Sequence, residues 1–212
     1  MKCSVGYCNT DTYCVSERRH KKQNLRIIII IFNSQFSIFN FPVRLYLIGY
    51  MYSGKTTVGR QLAHALKLDF HDLDQDIEAR FHTSLPLFFK RYGEPMFRQV
   101  EMQMLHDTAR MDNVVISTGG GTPCFGNNMQ WINANGTSIY LRLTEESICQ
   151  RMECSRKCRP TVMALPPEER QQFIHNQLSS RLPIYQQAHH TIAADGLDTK
   201  NIVATILQAI NQ

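Results

Sequence analysis

Short apolar runs alternating with helix-forming stretches predict an α/β domain built on a parallel sheet. Three observations carry that expectation. The unbroken apolar run at 45–48 ends at Gly49 and is followed at once by a stretch of helical periodicity. Two further short strand candidates follow, at 114–116 after a helix candidate and at 138–143 before one. The chain then closes on one more strand candidate and an amphipathic helix, with no internal repeat and no low-complexity tract.

The elements follow in order. Residues 45–48 read as a buried strand because four apolar residues run together up to a glycine. Residues 55–68 place Val58, Leu62, Ala65 and Leu66 on one helical face. A second short strand is expected around Phe70, and residues 98–110 read as a helix leading into the buried strand at 114–116. Residues 138–143 alternate as a strand, and Thr144 is placed to N-cap a helix over 145–152. Residues 167–181 read as a polar helix and 190–193 as a last short strand. Asp198 or Thr199 then caps a final helix carrying Ile202, Ile206, Ala209 and Ile210.

Composition bounds the function. A chain of 212 residues with 43% hydrophobic residues fits one domain with an appendage and can bury a sizeable core. A net charge of +5, with acids and bases interspersed, is weak evidence for nucleic acid and suits an anionic small molecule equally well. The basic stretch at 17–26 reads as a solvated tail. Seven cysteines at irregular spacing do not form a disulfide framework and read as reduced thiols of a cytosolic protein. Cys154 and Cys158 lack a second pair in register, so no zinc site is expected. The isoleucine-rich run at 27–32 is far shorter than the about 20 apolar residues a membrane span needs. It follows a long polar lead and precedes no A-x-A-like site, so residues 1–40 read as an extension outside the domain, expected to be disordered, with a weak signal sequence as the alternative. The domain is expected over 41–212.

One motif names a chemistry. Gly49-Tyr50-Met51-Tyr52-Ser53-Gly54-Lys55-Thr56-Thr57 satisfies G-x-x-x-x-G-K-[ST] after a strand and at the start of a helix, where a phosphate-binding loop must stand. Backbone N–H groups of such a loop cradle phosphate oxygens, and the helix N-terminus favours anions. Lys55 is expected to reach the β- and γ-phosphates of a nucleoside triphosphate, and the Thr56 hydroxyl to ligate Mg2+. Tyr52, Ser53, Gly54 and Thr57 complete the expected nucleotide contacts. Asp72 and Asp74 follow the second strand, at the sheet edge where ligands of open α/β sheets gather. In an extended segment they face one way, one toward Mg2+ and one toward an acceptor hydroxyl.

Further segments follow in order: Gly93-Glu94-Pro95-Met96-Phe97-Arg98-Gln99-Val100-Glu101, then Gly119-Gly120-Gly121, Arg159-Pro160 and Arg181-Leu182-Pro183-Ile184-Tyr185. With the loop and the D-x-D, these six segments resemble the shikimate kinase family over residues 43–212. The resemblance implies a three-layer α/β/α P-loop kinase fold, a five-stranded parallel sheet of order 2-3-1-4-5, and a mobile lid. It implies transfer of phosphate from ATP, with Mg2+, to shikimate in aromatic amino-acid biosynthesis. By the same resemblance Asp74 binds the acceptor hydroxyl as candidate base and Asp72 approaches Mg2+. Arg98 and Arg181 clamp the substrate carboxylate, Gly119, Gly120 and Gly121 allow close approach, and Arg159 of the lid neutralises the transferring phosphates.

The sequence departs from the family at Tyr52, where the family has glycine, and in the lid, which carries Cys154 and Cys158. Rival readings are another small-metabolite kinase such as gluconate kinase, or a non-catalytic nucleotide-binding module. The expected partner is a small-molecule substrate, without nucleic acid or membrane, for a monomer in the cytoplasm.

Overall fold

The computed structural model describes residues 43–154 and 165–211. The expected extension at 1–40, and most of the lid with Cys158, Arg159 and Pro160, lie outside the described residues. Five parallel strands form one sheet in the order β2-β3-β1-β4-β5. They are β1 (Arg44–Ile48), β2 (Asp69–Asp72), β3 (Val114–Ser117), β4 (Thr137–Arg142) and β5 (His190–Ala193). Seven α-helices lie among the described residues: α1 (Lys55–Leu66), α2 (Leu73–Phe81), α3 (Leu85–Asp107), α4 (Asn128–Asn135), α5 (Glu145–Glu153), α6 (Pro167–Tyr185) and α7 (Thr199–Ile210).

The central strand explains its own composition. β1 pairs with β3 on one side and β4 on the other, and Leu45, Tyr46, Leu47 and Ile48 are all buried. A parallel strand covered on both faces reads as a continuous apolar run. The same burial corrects the alternation read at 138–143, because Ser138, Ile139, Tyr140 and Leu141 are all buried. Ser138 is accommodated there by bonds to His189 and Asn133.

Helix ends follow the capping residues. Thr144 caps α5 by accepting from the Ser147 N–H, and Asp198 caps α7 by accepting from the Asn201 N–H at 2.8 Å. α1 stops at Leu66 because Lys67 takes a left-handed φ of 55°, which turns its N–H back on the helix. The apolar face of α1 holds Val58, Leu62 and Ala63, whereas the expected Ala65 is exposed.

Other boundaries differ from expectation for identifiable reasons. The helix expected over 98–110 begins at Leu85 and ends at Asp107, with a tight turn over Thr108–Arg110. It is two helices merged across Gly93, whose φ of 77° and ψ of 168° are not helical. Pro95 cannot donate to the preceding turn, and Gly93 is the residue able to take the positive φ. The helix expected to stop at 181 runs on through Pro183 to Tyr185. The most consequential correction concerns Asp74. It lies in the first turn of α2, with Asp72 as the N-cap, and not on an extended segment.

Candidate active site

The sheet delivers the loop after β1 to the carboxyl edge, where the strand order changes direction and ligands of open α/β sheets bind. Gly49 opens it with a φ of 143°, and a side chain there would come within 2.8 Å of the Leu141 carbonyl. The Ser53 N–H donates to the Tyr50 carbonyl at 3.2 Å, closing a tight turn. Tyr52 is the third residue of that turn and has a φ of 64°. This is the left-handed region in which glycine is the usual occupant, so the departure at Tyr52 carries real backbone strain. Gly54, at φ 88°, leads into α1.

Lys55 is buried, and its Nζ donates to the carbonyls of Gly49 and Tyr50, each at 2.9 Å, and to Ser53 Oγ at 3.4 Å. The ammonium thus stands inside the loop at the positive end of α1. The Thr56 Oγ1 donates to Asp72 Oδ2 at 2.6 Å. The other Asp72 oxygen accepts from the N–H groups of Asp74 and Gln75, at 3.1 and 3.4 Å. Asp72 therefore serves two structures at once, capping α2 and meeting Thr56. A cavity of about 820 Å³ opens over this arrangement, and Tyr52, Gly54, Lys55, Thr56, Thr57 and Asp72 line it.

Arg151 also lines this cavity, and the sequence reading passed over it. Its guanidinium donates to the carbonyls of Ser53 at 3.3 Å, Tyr52 at 3.5 Å and Ala194 at 3.1 Å, tying the loop to the end of β5. Its place three residues after the buried Ile148, on the helix expected at 145–152, was the only available signal.

A second cavity, of about 340 Å³, is lined by Arg98, Glu101, Gly119, Gly120, Gly121 and Arg181 among others. Arg98 Nη1 donates to Glu101 Oε2 at 2.6 Å, and its Nη2 donates to Glu94 Oε1 at 3.0 Å. Glu101 is 1% exposed and also accepts from Thr122 Oγ1 at 2.5 Å. Burial pushes the Glu101 carboxyl above its usual range, against the pull of Arg98 and Thr122. Burial also works against the Arg98 charge, but Glu101 and Glu94 outweigh it and the guanidinium is held more firmly protonated. Arg98, half-buried, is therefore seated on a fully buried Glu101.

The three glycines are explained by what they touch. A side chain on Gly119 would meet Glu101 at 2.5 Å and Asp74 at 3.0 Å, and one on Gly121 would meet the Arg98 guanidinium at 2.8 Å. A side chain on Gly120 would meet the Met51 backbone nitrogen at 3.2 Å and the Arg181 guanidinium at 3.7 Å. The turn is bare so that two carboxylates and two guanidiniums can close around it. The Tyr185 hydroxyl donates to the Gly120 carbonyl at 2.5 Å, and burial raises its pKa far above the ordinary value, so it stays a donor.

Of the expected nucleotide and metal residues, Tyr52, Gly54, Lys55, Thr56, Thr57 and Asp72 line the first cavity, Gly49 and Ser53 shape the loop beneath it, and Arg159 lies outside the described residues. Arg98, Arg181 and the three glycines line the second. Asp74 and Gly120 line both. A phosphate loop opposed to a cation-lined cavity across one carboxylate defines a P-loop phosphotransferase acting on a small anionic acceptor.

A family model of shikimate kinase matches residues 51–211. A shikimate kinase of Parabacteroides distasonis is 42% identical over 167 residues, covering 79% of this chain and 96% of the relative. The crystal structure of shikimate kinase from Bacteroides thetaiotaomicron superimposes with a TM-score of 0.77 at 37% identity, covering 81% of this chain and 100% of that one. That of shikimate kinase from Acinetobacter baumannii, solved in complex with shikimate, gives a TM-score of 0.72 at 32% identity, covering 81% of this chain and 94% of that one. The chain belongs to the shikimate kinase family.

Proposed function

We propose that this chain transfers the γ-phosphoryl group of ATP to a hydroxyl of shikimate, giving 3-phosphoshikimate for aromatic amino-acid biosynthesis. The observation that carries the reading is the position of Asp74 on the wall shared by the two cavities. A phosphoryl donor on one side and an acceptor hydroxyl on the other would meet at that carboxylate. The relative solved with shikimate supports the acceptor assigned here.

Each residue has a part in this reading. Arg98 and Arg181 grip the acceptor carboxylate, the group their planar forks match. Asp74 orients the acceptor hydroxyl and takes its proton as the new O–P bond forms and the bond from the γ-phosphorus to the bridging oxygen breaks. Lys55, Ser53, Gly54, Thr57 and the backbone of Gly49 and Tyr52 hold the phosphates. Arg159, outside the described residues, is assigned to neutralise charge on the transferring group.

The residues present fit Mg2+. Thr56 Oγ1 at the start of α1 and Asp72 Oδ2 at the end of β2 are hard oxygen donors 2.6 Å apart. Mg2+ is held in such sites by one or two protein oxygens together with phosphates. Among the described residues no cluster of three or more His, Cys, Asp and Glu offers an all-protein cage. When bound, the ion neutralises charge developing on the phosphoryl oxygens.

Among the described residues no helix is long and apolar enough to cross a membrane. We place the catalytic unit in residues 41–212, acting as a cytoplasmic monomer on small molecules. The test is ADP release by the purified chain with ATP and Mg2+, alone, with shikimate and with gluconate. Release that depends on shikimate, and is lost in Asp74→Asn with nucleotide binding retained, is expected. Release that ignores shikimate, or is driven by gluconate, would overturn the assignment.

A further inference from the structure

Tyr50, the second residue of the phosphate loop, reaches out of the nucleotide site. Its backbone carbonyl accepts from Lys55 Nζ at 2.9 Å, which fixes one end in the loop. Its ring is 2% exposed for the residue as a whole and lies under the Arg181 guanidinium, 5.5 Å from the ring centre. Its hydroxyl donates to Gln177 Oε1 at 3.0 Å. Gln177 and Arg181 stand four residues apart on α6 and so share one face of that helix. Both line the acceptor cavity. One tyrosine therefore organises two cavity-lining side chains, one by cation–π contact and one by hydrogen bond.

The direction of that hydrogen bond decides what Gln177 has to offer. The Tyr50 hydroxyl is the donor because the atom facing it is the amide oxygen, which can only accept, and burial, raising its pKa to about 12, keeps that proton in place. With Oε1 fixed on the Tyr50 hydroxyl, the amide orientation is set and its two N–H groups are available to donate. An amide held this way keeps both of its donors free of Tyr50. That suits an acceptor presenting oxygens, and it discriminates against an analogue that lacks one.

We propose that Gln177 is a specificity-determining residue of the acceptor site, its amide oriented by Tyr50 so that the N–H groups donate to an oxygen of the acceptor. The proposal rests on the reading of the second cavity as the acceptor site. It adds a neutral donor to the two guanidiniums, and it makes a residue of the phosphate loop responsible for the geometry of acceptor binding.

The test is steady-state kinetics of the whole chain with shikimate and ATP varied in turn, on Gln177→Met, Gln177→Glu and Tyr50→Phe. Gln177→Met keeps the length and removes the donors, so the KM for shikimate should rise roughly five- to ten-fold, with the KM for ATP and kcat nearly unchanged. Gln177→Glu sets a carboxylate where an N–H donor stood, beside an anionic acceptor, and should raise that KM further. Tyr50→Phe keeps the ring under Arg181 and frees the amide, so it should raise the same KM by a smaller factor. In a Gln177→Met background Tyr50→Phe should add little. Should Gln177→Met fail to fold, Tyr50→Phe with Gln177→Glu carries the same comparison. Wild type that turns shikimate over, with Gln177→Met and Gln177→Glu both indistinguishable from it, would overturn the role of Gln177 alone. Equal losses in kcat and in both KM values would also overturn it, as a purely structural effect. A wild type that ignores shikimate would instead sink the substrate assignment, and the role of Gln177 in binding it would fall with it.

Discussion

Arg98 Nη1 lies 2.6 Å from Glu101 Oε2, and Glu101 is 1% exposed. The guanidinium assigned to the acceptor is thus already seated on a buried carboxylate, and that carboxylate packs where a Gly119 side chain would otherwise stand. Such a pair contributes less to net stability than its geometry suggests, because both ions are desolvated. Removing one member is another matter: losing Arg98 strands the buried Glu101, whereas losing Glu101 leaves Arg98 with Glu94 alone.

The first prediction follows. Glu101→Ala should destabilise the fold by about 1–3 kcal/mol, because Thr122 loses its acceptor and Arg98 keeps only Glu94. Glu101→Gln, which keeps an acceptor for Thr122, should cost less. Urea unfolding of both variants measures this, and a loss below about 1 kcal/mol for the alanine variant would mean that Glu94 and water satisfy Arg98 without Glu101.

Asp72 supports a sharper separation of roles. Its Oδ1 caps α2 and its Oδ2 meets Thr56. Asp72→Asn keeps a capping oxygen and should lose little stability, yet turnover should fall and need more Mg2+. Asp72→Ala should lose turnover and about 1 kcal/mol of stability besides, the usual worth of an N-cap. Thermal unfolding read alongside a Mg2+ titration of activity distinguishes the two. Equal stability of the variants would refute the capping role.

Tyr52 permits a controlled test of backbone strain. Both Tyr52→Ala and Tyr52→Gly remove the ring, but only glycine relieves the φ of 64°. The glycine variant should be the more stable by about 1 kcal/mol, the cost of a left-handed L-residue. Melting temperatures in one buffer decide it, and an alanine variant as stable as the glycine one would mean the turn relaxes away from positive φ.

His190 sets a pH dependence. Burial lowers its pKa from 6.5, so the folded chain holds it neutral where the unfolded chain takes up a proton. The unfolded state then binds more protons, and stability must fall as pH drops below about 6.5 through the lower folded value. The slope from this one group cannot exceed about 1.4 kcal/mol per pH unit. His190→Gln should flatten stability over that window, and an unchanged slope would assign the effect elsewhere.

How much of this was legible depends on how local each signal is. The phosphate loop was readable because the glycine turns, the lysine and the threonine are each fixed by separate chemistry within nine residues. β1 was readable because burial on both faces leaves a continuous apolar run. α2 was missed because only Leu73 and Ile77 of its nine residues are buried and its acidic first turn resembles a loop. α4, eight residues with little amphipathic pattern, was missed for the same reason. The pairing of Arg98 with Glu101 was not legible, since i,i+3 charges carry no record of what covers them. The Tyr50–Gln177 bond joins positions 127 residues apart, and nothing in either neighbourhood announces the other.

The last prediction concerns Arg98 and Arg181, which come from α3 and α6 and line one cavity. If both grip one carboxylate, Arg98→Ala should raise the KM for shikimate roughly ten- to a hundred-fold, corresponding to a charge-assisted pair of about 1.5–3 kcal/mol. Nucleotide affinity should hardly change, because Arg98 does not line the first cavity. Arg98→Lys should restore only part, since an ammonium keeps the charge without the fork, and it must still satisfy Glu101 and Glu94. Arg181→Ala should act in the same direction while also uncovering the Tyr50 ring. Because both side chains meet one group, the double variant should lose less than the sum of the single losses. Shikimate binding by calorimetry on the four members of the cycle measures that coupling. Strictly additive losses, or a matching loss of ATP binding, would mean the two arginines hold different groups.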